Sequence, residues 1–320
     1  MRQLPRKNTR SKVWLAVYLI IYFVHGMANA QTINGFDLTR ASIPARQILS
    51  GGPPRDGIPA IDRPVFQSVS SATWLDPEDR ILGVSLNGIS RAYPIAILNW
   101  HEVVNDVIGG RPIVISYCPL CGTGMAFDSR IENRDLDFGV SGLLYQSDVL
   151  LYDRQTESLW SQIIGEAISG PHQGKKLGSL VLAHTSWGAW QQAHPDTEVL
   201  SRDTGVRRDY TQDPYAGYGD SPRILFPVVN RAPGPWHAKE WVLGVELNGQ
   251  YKAYPFTELA AQGLNQFTDE FAGETITIVW DEENRSAAMR SGNEVQPSIT
   301  AFWFAWYAFH TQTEVFRARE

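Results

Sequence analysis

Alternating apolar and polar residues run through most of the chain after residue 80, a pattern typical of strands that bury one face. The strongest of these segments are 81–86, 113–117, 124–128, 136–140, 149–152, 160–164, 242–247 and 275–280. Helical spacing of apolar residues is confined to short segments at 94–99, 185–193, 255–262 and 301–310. The pattern therefore predicts an α+β fold that is rich in β-structure.

Two segments of the chain resemble each other. Residues 82–94 read LGVSLNGISRAYP and residues 243–255 read LGVELNGQYKAYP, and in each an Asn-Gly pair between two strand patterns indicates a hairpin. Residues 110–115 correspond to 273–278, and the pattern Trp-x-x-Trp-x-x-x-His begins at both Trp187 and Trp303. We therefore expect two degenerate internal repeats packed as one compact pseudo-symmetric unit.

The domain boundaries follow from these repeats. We assign residues 1–30 to a signal peptide, 31–60 to an extended N-terminal arm, 61–202 to the first repeat, 203–236 to a connector and 237–320 to a shorter second repeat. The connector is rich in Tyr, Pro and Gly. Its aromatic residues could line a ligand groove, but packing over the seam between the repeats is the simpler interpretation.

The N-terminus has the composition of a Sec-type secretory signal. Basic residues precede an apolar stretch at 13–24, and the small residues Ala28 and Ala30 precede a predicted cleavage point after Ala30. The sequence thus predicts a periplasmic or secreted protein with no integral membrane segment after cleavage. An uncleaved membrane anchor is the alternative.

Composition excludes several function classes. The formal net charge of −6 makes the chain a poor partner for nucleic acid. The sequence contains no phosphate-binding loop, no dinucleotide fingerprint and no serine-hydrolase elbow. A small molecule, a metal donor or a redox protein are the partners that remain, and the sequence leaves open whether the chain is an enzyme.

Both cysteines of the chain lie in one pentapeptide, CPLCG at 118–122, directly after a predicted buried strand. Two thiols so placed can share a metal ion, exchange disulfides or close one small static disulfide. A glycine after the second cysteine is typical of the knuckles that hold zinc or iron. We favour metal binding, and we keep a periplasmic thiol-disulfide redox protein and a non-enzymatic binding module with a static disulfide as alternatives.

Comparison of the repeats points to further ligands in the first repeat. The second repeat has no cysteine, and no histidine opposite His101, which we predict as the third ligand. Glu102 or Asp106 could bind the ion directly or accept the imidazole N–H, and Met125 could add a thioether. Such a set suits zinc or copper. The competing interpretation is that His101 is a structural histidine of the core.

Five ordered motifs connect this chain with known sequences. They are AYP at 92–94, NWHEVVND at 99–106, YCPLCG at 117–122, SGLLY at 141–145 and YDRQTESLWSQ at 152–162. Together they resemble the DUF3179 family, prokaryotic and mostly exported or lipid-linked proteins of unknown function. The resemblance implies that His101, Cys118 and Cys121 lie in distinctive motifs, and it implies no mechanism.

Overall fold

A computed structural model describes residues 31–318. The predicted signal peptide at 1–30 lies outside the described residues. Within 31–318, none of the helices has the length and apolar character that a membrane crossing requires.

Most of the described chain forms short strands. Up to residue 94 these are β1 (Thr32–Ile33), β2 (Phe36–Asp37), β3 (Ile48–Ser50), β4 (Phe66–Ser68), β5 (Arg80–Leu86) and β6 (Ile89–Pro94). Between residues 103 and 200 they are β7 (Val103–Ile108), β8 (Arg111–Cys118), β9 (Thr123–Asp128), β10 (Arg130–Ile131), β11 (Arg134–Asp135), β12 (Phe138–Tyr145), β13 (Asp148–Asp153), β14 (Leu159–Ser161), β15 (Glu166–Ser169), β16 (Gly178–Ser179), β17 (Ala183–Ser186) and β18 (Glu198–Leu200). The remainder are β19 (Trp241–Leu247), β20 (Gln250–Pro255), β21 (Gln266–Phe271), β22 (Glu274–Asp281), β23 (Ser286–Ser291), β24 (Glu294–Gln296), β25 (Ile299–Phe302) and β26 (Glu314–Val315).

The α-helices are short and lie where the sequence predicts them, within a few residues at each end. They are α1 (Ile95–His101), α2 (Trp187–Ala193), α3 (Phe256–Gln262) and α4 (Trp303–Phe309), and two 3₁₀ turns span Ala45–Gln47 and Val69–Ser71. Pro94 and Pro255 precede α1 and α3, as expected for a residue that fixes φ at the start of a helix.

Five sheets of four or five strands make up a five-bladed β-propeller. Blade 1 has the order β17-β5-β6-β18-β4, blade 2 β16-β9-β8-β7, blade 3 β15-β14-β13-β12-β3, blade 4 β25-β19-β20-β26 and blade 5 β21-β22-β23-β24. Contacts of β7 with β12, β9 with β25 and β17 with β23 join different blades.

The expected α+β fold of two repeats in one pseudo-symmetric unit is wrong. The matching segments fall in separate blades: 82–94 lies in blade 1 and 243–255 in blade 4, while 110–115 lies in blade 2 and 273–278 in blade 5. Blade 3 has no counterpart, so the blades number five and a twofold unit cannot contain them. Alternation of residues reports which segments are strands, but it does not report how many sheets those strands form.

Residues that match between blades 1 and 4 make the same packing contacts. Trp190 lies over Gly83, where an added Cβ would approach the indole to 2.5 Å, and Trp306 lies over Gly244 at 2.3 Å. Each indole N–H donates to a threonine hydroxyl at 2.9 Å. These shared tryptophans therefore belong to the scaffold of the blades.

Candidate metal site

The two cysteines flank a tight turn between strands β8 and β9 of blade 2. Cys118 ends β8 and pairs in register with Thr123, the first residue of β9. The backbone N–H of Cys121 donates to the Cys118 carbonyl at 3.1 Å, and Gly122 has a φ of +63°. The turn places both thiols on the inside of the molecule, where Cys118 is 1% and Cys121 0% exposed. Both are free thiols.

Blade 4 closes over this turn. The backbone N–H of Phe302 donates to the Cys121 carbonyl at 2.8 Å. A Cβ added at Gly122 would lie 2.6 Å from the Trp241 ring, so no larger residue fits there. The cysteine turn is therefore held from outside its own blade.

Blade 3 approaches the thiols with a second turn. Gln146 and Ser147 form the two-residue loop between β12 and β13, with φ values of +54° and +68°. Two residues with positive φ indicate a type I′ turn, which normally favours Asn-Gly. The Cys121 thiol donates to the Ser147 carbonyl at 3.3 Å. This buried, strained loop thus fixes the position of the next residue, Asp148.

Asp148 completes a three-residue cluster. One sulfur from each of Cys118 and Cys121 and a carboxylate oxygen of Asp148 all lie within 4.8 Å of one another, and all three residues are buried. One carboxylate oxygen, Oδ2, accepts the backbone N–H of Ile163 at 3.2 Å. The other, Oδ1, is buried without a hydrogen-bond partner among residues 31–318.

No other group in the described chain brings three potential Cys, His, Asp or Glu ligands so close together. Thiolate sulfur and carboxylate oxygen are both zinc ligands in proteins. A buried acceptor without a partner normally costs free energy, and a bound ion is one of the arrangements that removes that cost. The cluster could therefore hold a metal ion.

The cluster is rich in acidic groups. Burial raises the pKa of Asp148 to about 7, and it raises the pKa of the Cys118 and Cys121 thiols. Burial, with a smaller contribution from the Asp148 charge, also raises the pKa of nearby Glu102 to about 8. Without a cation these groups favour their neutral forms, and a bound divalent ion would favour the charged forms.

Tyrosines of the connector lie near the thiols. Burial is the main cause, and the cysteine charges an additional one, of a raised pKa at Tyr215 and Tyr218. The Tyr218 hydroxyl is buried and has no partner within the described residues. Lys239 lies 3.6 Å from the centre of the Tyr218 ring and donates to the carbonyls of Tyr218, Ser221 and Arg223 at 2.6–2.8 Å. Lys239 therefore fixes this part of the connector.

His101, the predicted third ligand, is not part of the cluster. It lies at the end of α1, where its Nδ1–H donates to the Pro59 carbonyl at 2.7 Å. Because a carbonyl only accepts, Nδ1 carries the proton and Nε2 accepts the Tyr210 hydroxyl at 2.6 Å. Burial lowers the pKa of His101, which favours this neutral form. Both ring nitrogens are thus engaged away from the thiols.

Asp106, another predicted ligand, is also engaged by partners outside the cluster. The Asp106 carboxylate accepts the Tyr93 hydroxyl and the Arg91 guanidinium, each at 2.6 Å. In blade 5, Asp269 accepts from Tyr254 and pairs with Lys252 in the matching arrangement, so this carboxylate belongs to the scaffold.

Two of the predicted side chains do lie beside the cluster. Glu102 is close enough for the Asp148 charge to raise its pKa. Met125 packs in the same hydrophobic cluster as both cysteines.

Sequence reasoning missed Asp148. Its position depends on a Gln-Ser turn that has no turn signature, and the residue lies outside the sequence patterns that the repeats share. One signal was available: blade 3 is the part of the first repeat that the second repeat lacks, as are the cysteines. A carboxylate beside the SGLLY segment could have been sought on that ground.

Comparison with known proteins identifies a family but no individual relative. No curated protein and no solved structure matches the chain. A family model described as a protein of unknown function, DUF3179, matches residues 55–299. That range covers most of the chain, including the cysteine turn and Asp148. The chain therefore belongs to the DUF3179 family.

Proposed function

We propose that this chain binds one zinc ion through Cys118, Cys121 and Asp148. The observation that carries the proposal is the Oδ1 atom of Asp148, which is buried without a partner in the described residues although two thiols lie within 4.8 Å of the carboxylate. A zinc ion would pair with this oxygen and with both sulfurs. No acidic cluster of this kind is needed to stabilise a chain with so large an apolar core.

The mixed donor set favours zinc over copper. Thiolates bind both Zn²⁺ and Cu(I), whereas a carboxylate oxygen suits Zn²⁺ and is a poor ligand for Cu(I). Copper would need a soft third donor such as the Met125 thioether. The close approach of the Asp148 carboxylate to both sulfurs supports zinc.

Three protein ligands leave a fourth position on a tetrahedral ion, the arrangement of catalytic zinc sites. The Tyr218 hydroxyl and the Glu102 carboxyl are buried, and each lies near enough to the cluster for its charges to raise the pKa of the group. We propose that water occupies the fourth position and donates to these groups, and that the ion is structural, because the burial of both thiols denies a substrate access to it. Zinc retained in Tyr218→Phe would support water as the fourth ligand, whereas loss of zinc would identify the tyrosine as a ligand.

The structure gives less support to thiol-disulfide exchange. A redox-active thiol needs access to its partner and a lowered pKa, usually at a helix N-terminus. Here burial raises the pKa of both thiols, and the turn leads into strand β9.

We further propose that the protein is exported and cleaved after Ala30. The basic, apolar and small-residue segments of 1–30 support this proposal. Mass spectrometry of the protein from its native host tests it. A mature chain that begins at Gln31 is expected, and an intact N-terminus on a membrane-bound protein would contradict cleavage.

Metal analysis tests the zinc proposal. The wild-type protein, expressed with zinc in the medium and dialysed, should contain about one zinc per chain by mass spectrometry of the metal. Cys118→Ser and Asp148→Asn should lose most of it, and Asp106→Asn, which removes a buried carboxylate of the scaffold, should not. Circular dichroism establishes that each variant is folded. Folded wild-type protein without zinc, or variants that retain it, would overturn the proposal.

A further inference from the structure

A small cavity of about 130 Å³ lies where blades 1, 4 and 5 meet, and it is lined by two arginines and two aromatic residues. Arg80 begins strand β5 of blade 1, and Trp241 begins β19 of blade 4. Phe256 begins α3, and Arg285 lies in the turn between β22 and β23 of blade 5. This lining, two arginines and two aromatic residues, differs from that of the cysteine cluster.

Backbone carbonyls hold Arg80 in place. Its guanidinium donates to the carbonyls of His184 at 2.8 Å, Asn284 at 2.5 Å and Arg285 at 3.3 Å. Carbonyl oxygens orient a guanidinium, but they carry no net charge that would neutralise it. Arg80 is therefore a fixed cation at the wall of the cavity.

The two cations lack acidic partners. Neither Arg80 nor Arg285 forms an ion pair within residues 31–318, whereas Arg91 and Arg111 each pair with an aspartate at 2.6–2.8 Å. Burial, and then the charge of Arg285, lowers the pKa of Arg80 to about 10. An anion between the two guanidinium groups would offset both the burial and the repulsion.

The remaining walls suit an apolar group. Trp241 and Phe256 present aromatic surface to the cavity, and Trp241 is itself packed edge-on against the buried His184 ring, 5.2 Å away. A cavity of about 150 Å³ can hold a benzene molecule, so this one admits a somewhat smaller body. A ligand here would combine one anionic group with a few carbon atoms.

The cavity lies where the turn of blade 5 meets blade 1, and this junction corresponds to the one where the cysteine turn of blade 2 meets blade 4. Arg80 and Trp241 occupy corresponding positions in strands β5 and β19. Each comes one residue before the strand residue that pairs with the hairpin proline, which is Pro94 in blade 1 and Pro255 in blade 4. The Arg285 turn of blade 5 likewise corresponds to the turn that carries Cys121 in blade 2. Thus the residues that differ between matching blades, and not those they share, line the cavity.

We propose that this cavity binds a small organic carboxylate, with its carboxylate group between Arg80 and Arg285 and its hydrocarbon part against Trp241 and Phe256. A planar carboxylate fits the fork of the Arg285 guanidinium and can accept from the two Arg80 N–H groups that the carbonyls do not engage, and the aromatic rings exclude water from the carbon atoms. Trp241 also contacts Gly122, so a single indole separates this ligand from the cysteine turn. The carboxylate site does not depend on whether that turn binds a metal.

Calorimetric titration of the full chain with butyrate tests the proposal. Butyrate should bind, and neutral butyramide and inorganic sulfate should bind at least about tenfold more weakly, because each lacks one of the two recognition elements. Sulfate binding as tight as that of butyrate would overturn the organic carboxylate, and absence of butyrate binding would overturn the site.

Substitution of the exposed Arg285 provides the structural test. Arg285→Gln should weaken butyrate binding by about tenfold or more, the loss expected for one charge-assisted hydrogen bond. Arg134→Gln, an exposed arginine in another blade, should leave it unchanged. Arg80→Lys, which keeps the charge but cannot donate to three carbonyls and a ligand at once, should also weaken binding. Unchanged affinity in folded Arg285→Gln would contradict the proposal.

Discussion

The Cys121 thiol donates to the Ser147 carbonyl at 3.3 Å, and this contact joins the turns of two different blades. Ser147 has a φ of +68°, a conformation that costs about 1–3 kcal/mol in a residue with a side chain. The neighbouring Gln146 side chain is fixed because its Oε1 accepts the Val229 N–H at 2.7 Å. The surrounding blades thus maintain a strained turn that places Asp148 beside the thiols.

The strain at Ser147 leads to a stability prediction. Ser147→Gly should raise the free energy of unfolding of the metal-free protein by about 0.5–1 kcal/mol, because glycine adopts positive φ without strain. The change also removes a buried hydroxyl that has no partner in the described chain. Urea denaturation measures the effect. Ser85→Gly, within regular strand β5, is the control and should destabilise the protein, and a similar loss in Ser147→Gly would refute the strain argument.

Replacement by asparagine should have different effects on the free energy of unfolding at two buried aspartates of blade 3. Asp153 accepts the Thr156 backbone N–H and hydroxyl and the Trp160 indole N–H, so Asp153→Asn should lower the free energy of unfolding by about 2–3 kcal/mol. Asp148→Asn should have little effect on, or stabilise, the metal-free protein, since it removes a buried carboxyl that lacks a partner at Oδ1 within residues 31–318. Denaturant melts after chelation measure both. Equal destabilisation by the two changes would contradict this assignment of roles.

Substitution of His101 distinguishes the Cys-Cys-His ligand set predicted from the sequence from the proposed Cys-Cys-Asp set. His101→Gln should retain zinc, because both ring nitrogens are engaged by Pro59 and Tyr210. The same change should lower stability by about 1–3 kcal/mol through the lost buried hydrogen bonds. Zinc content and melting of one preparation give both values. Tyr210→Phe is the matched control, and zinc loss in His101→Gln with retention in Tyr210→Phe would restore the histidine as a ligand.

Acid should destabilise the protein through His310. This histidine stacks on Tyr251 with ring centres 4.1 Å apart, and burial lowers its pKa to about 4. Between about pH 6.5 and pH 4 the unfolded chain binds a proton here that the folded chain does not. The contribution of His310 to the free energy of unfolding should therefore fall by on the order of 2–3 kcal/mol as the pH falls through this window and stay constant above it, while the raised pKa values of Asp148 and Glu102 act in the opposite direction.

His310→Gln is the variant that isolates this contribution. The stability of the wild type relative to His310→Gln should fall by that amount between about pH 6.5 and 4, as measured by urea denaturation of both proteins at a series of pH values. The matching residue His194 is less buried and should contribute less when replaced in the same way. Parallel pH profiles for wild type and His310→Gln would contradict the prediction.

The sequence predicts local structure here better than it predicts assembly. The Asn87-Gly88 and Asn248-Gly249 hairpins and the helices after Pro94 and Pro255 follow from turn chemistry and helix-start preferences, which act over a few residues. The closure of five blades depends on contacts between distant strands, such as β9 with β25. Residue patterns do not encode those contacts directly.

The candidate site divides in the same way. The cysteine pair could be identified because its spacing alone permits chelation, whereas Asp148 is brought to it by a turn that propensity does not predict. His101 was a reasonable ligand by residue type. The structure instead gives it two hydrogen-bond partners from segments far apart in the chain. Which side chain lies beside the thiols is thus decided by the packing of blade 3 on blade 2.

X-ray absorption at the zinc edge tests the central claim most directly. The zinc-loaded protein should show two sulfur neighbours at about 2.3 Å and oxygen neighbours at about 2.0–2.2 Å, as expected for two thiolates, one carboxylate and water. Asp148→Asn should lose most of the zinc signal. A spectrum without sulfur neighbours, or a folded wild-type protein that takes up no zinc, would contradict the account.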